Sequence, residues 1–258
     1  MLLTLDVGNT NITIGIFDGE ALHASWRIQT DRNKTADEFG LLLHELFSLH
    51  SISFADITGV ALSSVVPPIM YSLTHAVRKY IGLEPFVVDS RTDTGLTNCY
   101  QPARDVGADR IVNAVGALGK YPPPLILVDF GTATTFCAIN EKHEYLGGAI
   151  LPGIKISMEA LFEKTAKLPR IEIAKPEHVI GQSTIESMQS GVYHGYVGSV
   201  DHIIEKMKEE LPGQVIVVAT GGLARMIAAD SKQITHTDST LTLEGLRILY
   251  ARNTEQMA

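Results

Sequence analysis

The chain contains a pattern twice, an aspartate followed two residues later by a glycine at the end of a predicted strand. Asp6 and Gly8 of LDVGNTN recur as Asp129 and Gly131 of VDFGTAT, and both pairs are offset by 123 residues. Each copy opens a series of three predicted strands separated by short polar turns. The repeat predicts a fold built by duplication, with two lobes and a cleft between them.

Helices and further strands follow each series of strands. In the first half, the start signal at 35–38 opens a helix, and the whole order reads β-β-β-α-β-α-β. Three prolines at 122–124 precede the second series, and we therefore expect lobes at 1–121 and 122–258. In the second lobe we expect helices at about 154–167 and 184–211, the strand QVIVVAT, and a final helix from about Leu243. The pattern is that of an α/β protein.

Charge and composition disfavour several classes of partner. The formal net charge is -8, and basic residues form no run longer than the pair Arg78 and Lys79, so nucleic acid and anionic membrane are not expected partners. No segment approaches the roughly 20 apolar residues that span a bilayer. Cys99 and Cys137 form no metal-type cluster and are expected to be buried thiols. A reducing, cytoplasmic environment follows.

The repeated turns have the residue types of a nucleotide-phosphate site. Glycine lets the backbone approach phosphate oxygens closely, and Asp6 can hold Mg²⁺. The hydroxyl and amide donors around the first glycine are Asn9, Thr10, Asn11 and Thr13, and Thr132 follows the second. Alternatively, both aspartates make ordinary Asx-type turns. Walker and dinucleotide glycine motifs are absent, and His44 and His50 are spaced as a solvated helix face, not as a zinc pair.

Two further segments can carry chemistry. Asp109 and Arg110 stand at the start of a predicted helix, where Asp109 is either an N-cap or a carboxylate that accepts a substrate proton. Arg110 can clamp an anionic group. The segment ATGGLA at 219–224 is either a place where adenine or ribose lies against backbone or a tight strand-to-helix turn.

Six motifs together resemble the type III pantothenate kinase family of the acetate and sugar kinase/Hsp70/actin superfamily. They are LDVGNTNIT at 5–13, GADRI at 107–111, VDFGTATTF at 128–136, GGAILPG at 147–153, ATGGLA at 219–224 and LTLEGL at 241–246. The resemblance implies two duplicated actin-like (ribonuclease H-like) lobes with mixed sheets and an interlobe cleft. It also implies transfer of the γ-phosphoryl group of ATP to pantothenate, giving 4′-phosphopantothenate in the first step towards coenzyme A.

The same resemblance implies roles for individual residues. Asp109 would be the proton acceptor, and Asp129 would hold a monovalent cation, K⁺ or NH₄⁺. The residues expected to contact ATP are Asp6, Val7, Gly8, Asn9, Thr10, Asn11, Ile12, Thr13 and Thr132. Those expected to line the pantothenate site are Tyr100, Gly107, Ala108, Asp109, Arg110 and Thr184. The family resemblance further implies a homodimer.

Two other functions compete with this one. The first is a kinase of the same fold that acts on another small hydroxylated substrate. The second is a non-catalytic regulatory paralogue, against which stands the presence of Asp109, Arg110, Asp129 and Thr184.

Overall fold

Each predicted repeat forms its own mixed β-sheet. In the computed structural model, which describes residues 1–254, the chain divides into two units. Unit 1 contains Met1–Leu96, Gln101–Gly119 and the described residues from Thr240 onward. Unit 2 contains Thr97–Tyr100 and Lys120–Ser239.

The sheet of unit 1 has five strands. They are β1 (Leu2–Val7), β2 (Asn11–Asp18), β3 (Ala21–Gln29), β4 (Gly59–Ser64) and β5 (Phe86–Val87). Their order in the sheet is β3-β2-β1-β4-β5, with β1 antiparallel to β2 and parallel to β4. Because β1 lies in the middle of the sheet, its residues Leu3, Leu5 and Val7 are fully buried.

Two helices pack their apolar residues into the core of this sheet. They are α1 (Ala36–Ser48) and α2 (Pro67–Ala76), so the predicted order of elements in the first half is confirmed. The side chain of Thr35 accepts from the backbone N–H of Glu38, and the Glu38 carboxylate accepts from the backbone N–H of Thr35. This capping box satisfies N–H groups that a helix start leaves unpaired. His44 and His50 are exposed, as predicted, but α1 ends at Ser48, so only His44 lies on the helix.

The sheet of unit 2 repeats the same arrangement. Its strands are β6 (Thr97–Asn98), β7 (Leu125–Phe130), β8 (Ala133–Ile139), β9 (Glu144–Pro152), β10 (Ile216–Gly221) and β11 (His236–Thr237). The order is β11-β10-β7-β8-β9-β6, which matches unit 1 strand for strand with β6 added at one edge. The duplication and the two-lobed actin-like α/β fold are therefore confirmed.

Three helices accompany this second sheet. They are α4 (Ile154–Lys164), α5 (Thr184–Glu209) and α6 (Ala224–Ala228). On α5, Tyr193, Tyr196 and Ile204 are buried in the core of the unit. Cys137 is also buried, but Cys99 is exposed, so the prediction of two buried thiols is wrong for Cys99. Within residues 1–254, no helix is both long and apolar enough to cross a bilayer.

The last helix belongs to unit 1, although the sequence pattern assigned it to a lobe at 122–258. Helices α3 (Ala108–Leu118) and α7 (Leu241–Thr254) are both part of unit 1, and the break after the first part of the chain falls at Gly119, close to the predicted residue 121. The helices touch through backbone: a Cβ on Gly116 would overlap the Leu241 carbonyl, and one on Gly245 would overlap the Val112 carbonyl. Glycine at both positions permits this close approach.

We predict that Gly245→Ala will lower the free energy of unfolding. Alanine is the better helix former by about 1 kcal/mol, so helix propensity alone would stabilise α7. Overlap with the Val112 carbonyl instead forces the two helices apart, and we expect a net loss of about 1–3 kcal/mol. Urea unfolding measures the change. An equal or higher free energy of unfolding would contradict the close contact between α3 and α7.

Candidate active site

The turn between β1 and β2 is held from both sides. The backbone N–H of Gly8 donates to the Asn11 carbonyl at 3.0 Å. From the end of β3, the Thr30 hydroxyl donates to the Gly8 carbonyl at 2.7 Å, and the Thr30 N–H donates to the Thr10 carbonyl at 2.9 Å. A Cβ on Gly8 would lie 3.1 Å from the Asn11 carbonyl, so the turn is as tight as the sequence predicted.

Asp6 lies next to this turn, beside a hydroxyl that the sequence did not single out. The Ser63 hydroxyl donates to Asp6 Oδ1 at 2.6 Å, and Ser63 is fully buried. The contact follows from register, because Asp6 is opposite Ser63 in the parallel pairing of β1 and β4. A polar residue at the end of a buried strand was the available signal, since such ends meet at one sheet edge.

The predicted ATP-contacting residues differ in their exposure. Asn9 and Thr10 are exposed, and Gly8, Asn11 and Thr13 are partly buried. Val7 and Ile12, by contrast, are 0% and 1% exposed and belong to the hydrophobic core of unit 1. Their side chains therefore cannot reach a ligand, and only backbone groups remain for such a contact.

Asp109 does not cap its helix. Gly107 is the N-cap of α3, and Asp109 is the second helical residue, so the N-cap interpretation is wrong. Its Oδ1 accepts from the backbone N–H of Arg110 at 2.8 Å. Arg110 itself is only 8% exposed. The helix start thus presents a partly buried carboxylate next to a buried guanidinium.

Burial raises the pKa of the Asp109 carboxyl above its ordinary value. The hydrogen bond from the Arg110 N–H and the Arg110 charge oppose the rise, but desolvation is the larger effect. A higher pKa makes a carboxylate a stronger base.

Val65 connects the start of α3 to the end of β1. Its backbone N–H donates to the Val7 carbonyl at 3.1 Å. Its Cγ1 lies 3.7 Å from where a Cβ on Gly107 would be. The segment that carries Asp109 is therefore close to the turn that follows Asp6, within one unit.

The turn between β7 and β8 surrounds Asp129 in unit 2. The Gly131 N–H donates to the Ala133 carbonyl at 3.1 Å. Gly221, at the end of β10, has φ +91°, and a Cβ there would lie 2.6 Å from Asp129 Oδ1 and 2.7 Å from the Phe130 carbonyl. The first glycine of ATGGLA therefore leaves a small cradle between a carboxylate and a carbonyl.

The registers of the two aspartates are equivalent. Asp6 is opposite Thr13 on the antiparallel strand and Ser63 on the parallel one. Asp129 is likewise opposite Thr135 and Thr220. Each carboxylate is thus flanked by two hydroxyl residues, a correspondence that only strand pairing reveals.

Ala108 is the first residue of α3 in unit 1, and the other remaining predicted residues lie in unit 2. The Tyr100 ring packs against Gly147, where a Cβ would lie 3.1 Å from it. Thr184 is the first residue of α5 and is exposed, following the N-cap Ser183. Thr132 is exposed in the β7–β8 turn, where a Cβ on Gly153, the N-cap of α4, would overlap its carbonyl.

No group of three or more His, Cys, Asp or Glu side chains that could hold a metal occurs within residues 1–254. A single carboxylate is nevertheless enough for Mg²⁺ when phosphates and water complete the octahedron. Asp6 with its neighbouring hydroxyl fits that pattern. The Asp129 carboxylate with the Phe130 carbonyl offers oxygen ligands only, which suits a hard cation.

Comparison with known proteins decides the family. The family described as Type III pantothenate kinase matches residues 2–206. The chain belongs to this family. A curated type III pantothenate kinase from Exiguobacterium sp. (strain ATCC BAA-1283 / AT1b) is 54% identical over 253 residues, which cover 98% of this chain and 99% of the relative.

Two solved structures superpose on this chain over almost its whole length. Component A of (R)-2-hydroxyglutaryl-CoA dehydratase from Acidaminococcus fermentans superposes with a TM-score of 0.55 at 13% identity, covering 98% of each chain. The inorganic polyphosphate/ATP-glucomannokinase from Arthrobacter sp. strain KM has a TM-score of 0.50 at 11% identity and also covers 98% of each chain. At these identities the likeness concerns the fold alone.

We predict that Gly221→Ala will destabilise the protein more than Gly213→Ala. Both glycines lie in unit 2 with φ near +80° to +91°, but at Gly213 only the end of the Glu141 side chain is near. Gly213→Ala should cost about 1 kcal/mol from the backbone conformation alone. Gly221→Ala adds overlap with Asp129 and should cost about 2 kcal/mol or more. If the two variants lose the same free energy of unfolding in urea, a Cβ at residue 221 does not overlap Asp129, and the prediction is wrong.

Proposed function

We propose that this chain transfers the γ-phosphoryl group of ATP to the terminal hydroxyl of pantothenate, giving 4′-phosphopantothenate and ADP in the first step of coenzyme A biosynthesis. The observation that carries the proposal is the position of Asp109. In a member of this family, a partly buried carboxylate stands at a helix start close to the turn that follows Asp6.

The β1–β2 turn is the proposed phosphate site. The backbone N–H groups and the exposed side chains of Asn9 and Thr10 would contact ATP phosphates. Thr132 is also a proposed phosphate contact. Asp6 would hold Mg²⁺, which neutralises charge on the phosphates when bound. Thr30 fixes the turn, so these donors are oriented before the nucleotide binds.

Asp109 is the proposed proton acceptor. As the pantothenate oxygen bonds to the γ-phosphorus, the bond from that phosphorus to the ADP oxygen breaks and the hydroxyl proton passes to Asp109. The buried Arg110 would clamp the anionic end of the substrate through its planar fork. The other proposed pantothenate-lining residues are Tyr100, Gly107, Ala108 and Thr184.

Asp129 is the proposed ligand of a monovalent cation, K⁺ or NH₄⁺. Support comes from the cradle at Gly221, which leaves room beside the Asp129 carboxylate and the Phe130 carbonyl. The second turn, VDFGTAT, lacks the asparagines of DVGNTN, and such a small set of oxygens suits a weakly hydrated ion better than one that demands octahedral geometry.

A groove in unit 2 is the proposed place for adenine or ribose. It has a volume of about 370 Å³ and begins at Leu223, directly after the two glycines of ATGGLA. Apolar walls with a few polar groups are typical of small-ligand sites. Its lining residues are Lys155, Met158, Glu159, Phe162, Arg170, Ile171, Glu172, Ile173 and Leu223.

We also propose that the protein is a cytoplasmic homodimer that assembles through unit 2. Large apolar side chains are exposed there at Leu146, Ile150, Ile156, Leu161, Val179, Ile180 and Ile185. Exposed apolar surface of this kind is typical of subunit contacts. On α5, Gly191, Gly195 and Gly198 have nothing within 4 Å of an added Cβ, which leaves room for a second copy.

A coupled assay of ADP release tests the reaction. The purified protein is supplied with MgATP and K⁺, with or without pantothenate, and the product is identified by mass spectrometry. Pantothenate-dependent ADP release with formation of 4′-phosphopantothenate is expected. Release only with another substrate from a panel of hydroxy acids and sugars would favour a different kinase, and no release with any substrate would favour a non-catalytic paralogue.

We predict that Asp109→Asn will lower kcat by about 10²- to 10⁴-fold, because it removes the proton acceptor and keeps its shape.

The same change should raise stability at neutral pH. Burial raises the folded-state pKa of Asp109, so ionisation disfavours the folded state. This destabilisation is absent at pH values below the pKa of Asp109 in the unfolded state. It develops as the pH rises through the pKa of Asp109 in the folded state.

The stability of Asp109→Asn should therefore exceed that of wild type increasingly as the pH is raised from acid to neutral. Kinetics and thermal unfolding at several pH values measure both effects. A variant that retains more than about a tenth of the wild-type rate would remove Asp109 from the role of general base.

We predict that activity requires K⁺ or NH₄⁺ and is poor in Na⁺ alone. Asp129→Ala should lose activity together with its response to K⁺, because the cation would lose its carboxylate ligand. Initial rates are measured at matched ionic strength with only the cation changed. Equal wild-type rates in Na⁺ and K⁺ would refute the assignment of Asp129 as the cation ligand.

A further inference from the structure

Most basic side chains of unit 1 are already paired with carboxylates. Those that form ion pairs are Arg78, Lys79, Arg91, Arg104, Arg247 and Arg252. Within residues 1–254, Arg27, Arg32 and Lys34 form no ion pair. Arg27 is opposite Thr13 on β2, and Arg32 contacts Asn9 in the β1–β2 turn. In a chain of net charge -8, unneutralised positive charge is therefore concentrated at one place in unit 1.

Arg32 has the most direct link to this turn. Its Nη2 donates to Asn9 Oδ1 at 3.3 Å, and its guanidinium is exposed. The backbone two residues earlier is fastened to the same turn by the hydrogen bonds of Thr30. One hydrogen bond to Asn9 therefore holds the guanidinium beside the proposed phosphate donors, and its other N–H groups are available to a ligand.

The nearby acidic groups have other partners. Asp31 Oδ1 accepts from the backbone N–H of Asn33 at 2.9 Å. Glu38 caps α1, and the hydrogen bonds that it accepts from the Thr35 backbone and side chain lower the pKa of its carboxyl, with a smaller contribution from the charge of Lys34. Neither carboxylate lies within ion-pair distance of Arg32. The positive charge at Arg32 is thus less neutralised than that of the basic groups elsewhere in unit 1.

Strand register adds a second positive charge on the same side of the turn. Asp6 is opposite Thr13, and Thr13 is opposite Arg27, so the three side chains stand in one row on one face of the sheet. Next to Arg32 is a concavity of about 460 Å³, lined by residues 28–34 and Leu42. Arg32 thus lines a concavity that includes no residue of the β1–β2 turn, and it also contacts Asn9 in that turn.

We propose that Arg32 is a nucleotide-positioning residue that contacts the polyphosphate chain of ATP directly, which rests on the proposed function. Mg²⁺ at Asp6 would offset part of the triphosphate charge, but the turn itself supplies only uncharged donors and one carboxylate, so net negative charge remains on the nucleotide. A guanidinium held by Asn9 supplies an opposing positive charge and can bind two phosphate oxygens through its planar fork.

Equilibrium binding of MgATP without pantothenate tests this role. Isothermal titration calorimetry is carried out on wild type, Arg32→Gln, Arg32→Lys and the control Arg78→Gln, whose cation is already neutralised by Glu84. We expect Arg32→Gln to weaken binding about tenfold, as loss of a charged hydrogen bond does, and Arg32→Lys to fall between the two. Arg78→Gln should stay within twofold of wild type.

Salt dependence separates a phosphate contact from a structural effect. Arg32→Gln should show a shallower rise of Kd with salt concentration than wild type, because one charge contact is missing. Its thermal midpoint should match that of wild type, since the side chain is exposed. A Kd within twofold of wild type, an unchanged salt slope, or weakening accompanied by a clear fall in thermal midpoint would overturn the proposal.

Failure of the proposed function gives a different result. If wild type binds MgATP but does not phosphorylate pantothenate, the proposed substrate is refuted, and the comparison of Kd values still decides the role of Arg32. If wild type does not bind MgATP, both proposals are refuted.

Discussion

Everything at the candidate site depends on how the central strand of each sheet is paired. An antiparallel partner returns through a tight turn, and a parallel partner ends at the same level on the other side. An aspartate one residue before the strand end is therefore held between two hydroxyl-bearing neighbours, with its carboxylate at the sheet edge where ligands bind in open α/β sheets. This pairing also explains two glycines. A Cβ on Gly8 would crowd the backbone of Asn11, and a Cβ on Gly221 would crowd the carboxylate of Asp129.

The two units share this frame but differ around it. In unit 1 the row through Asp6 and Thr13 continues to Arg27, whereas in unit 2 the row through Asp129 and Thr135 continues to Ile150. Ile150 is 63% exposed. The same backbone geometry thus presents the cationic side chain of Arg27 in unit 1 and the apolar side chain of Ile150 in unit 2. Duplicated folds can divide tasks in this way because side chains change while strand pairing stays fixed.

Local signals in the sequence were sufficient for all strands except the two-residue β6 and β11, for the capped helix α1 and for the repeat, because these depend on periodicity and on residues a few positions apart. The neighbours of the aspartates were not found, since Ser63 and Thr220 become relevant only through pairing across the sheet. The place of α7 was missed for the same reason. Gly116 and Gly245 are ordinary helix glycines until two helices that are distant in sequence meet.

The position of α7 also has a consequence for how the protein is made. Unit 1 contains the first strands of the chain and the last helix, so its core includes contacts between residues separated by almost the whole length of the polypeptide. Nearly all of unit 2 lies between them and is continuous from Lys120 to Ser239. During synthesis, all of Lys120–Ser239 is therefore made before α7, so the contacts of α7 in the core of unit 1 can form only after unit 2 has been synthesised. Unit 1 contains β1 but cannot complete its core before the residues of unit 2 have been made.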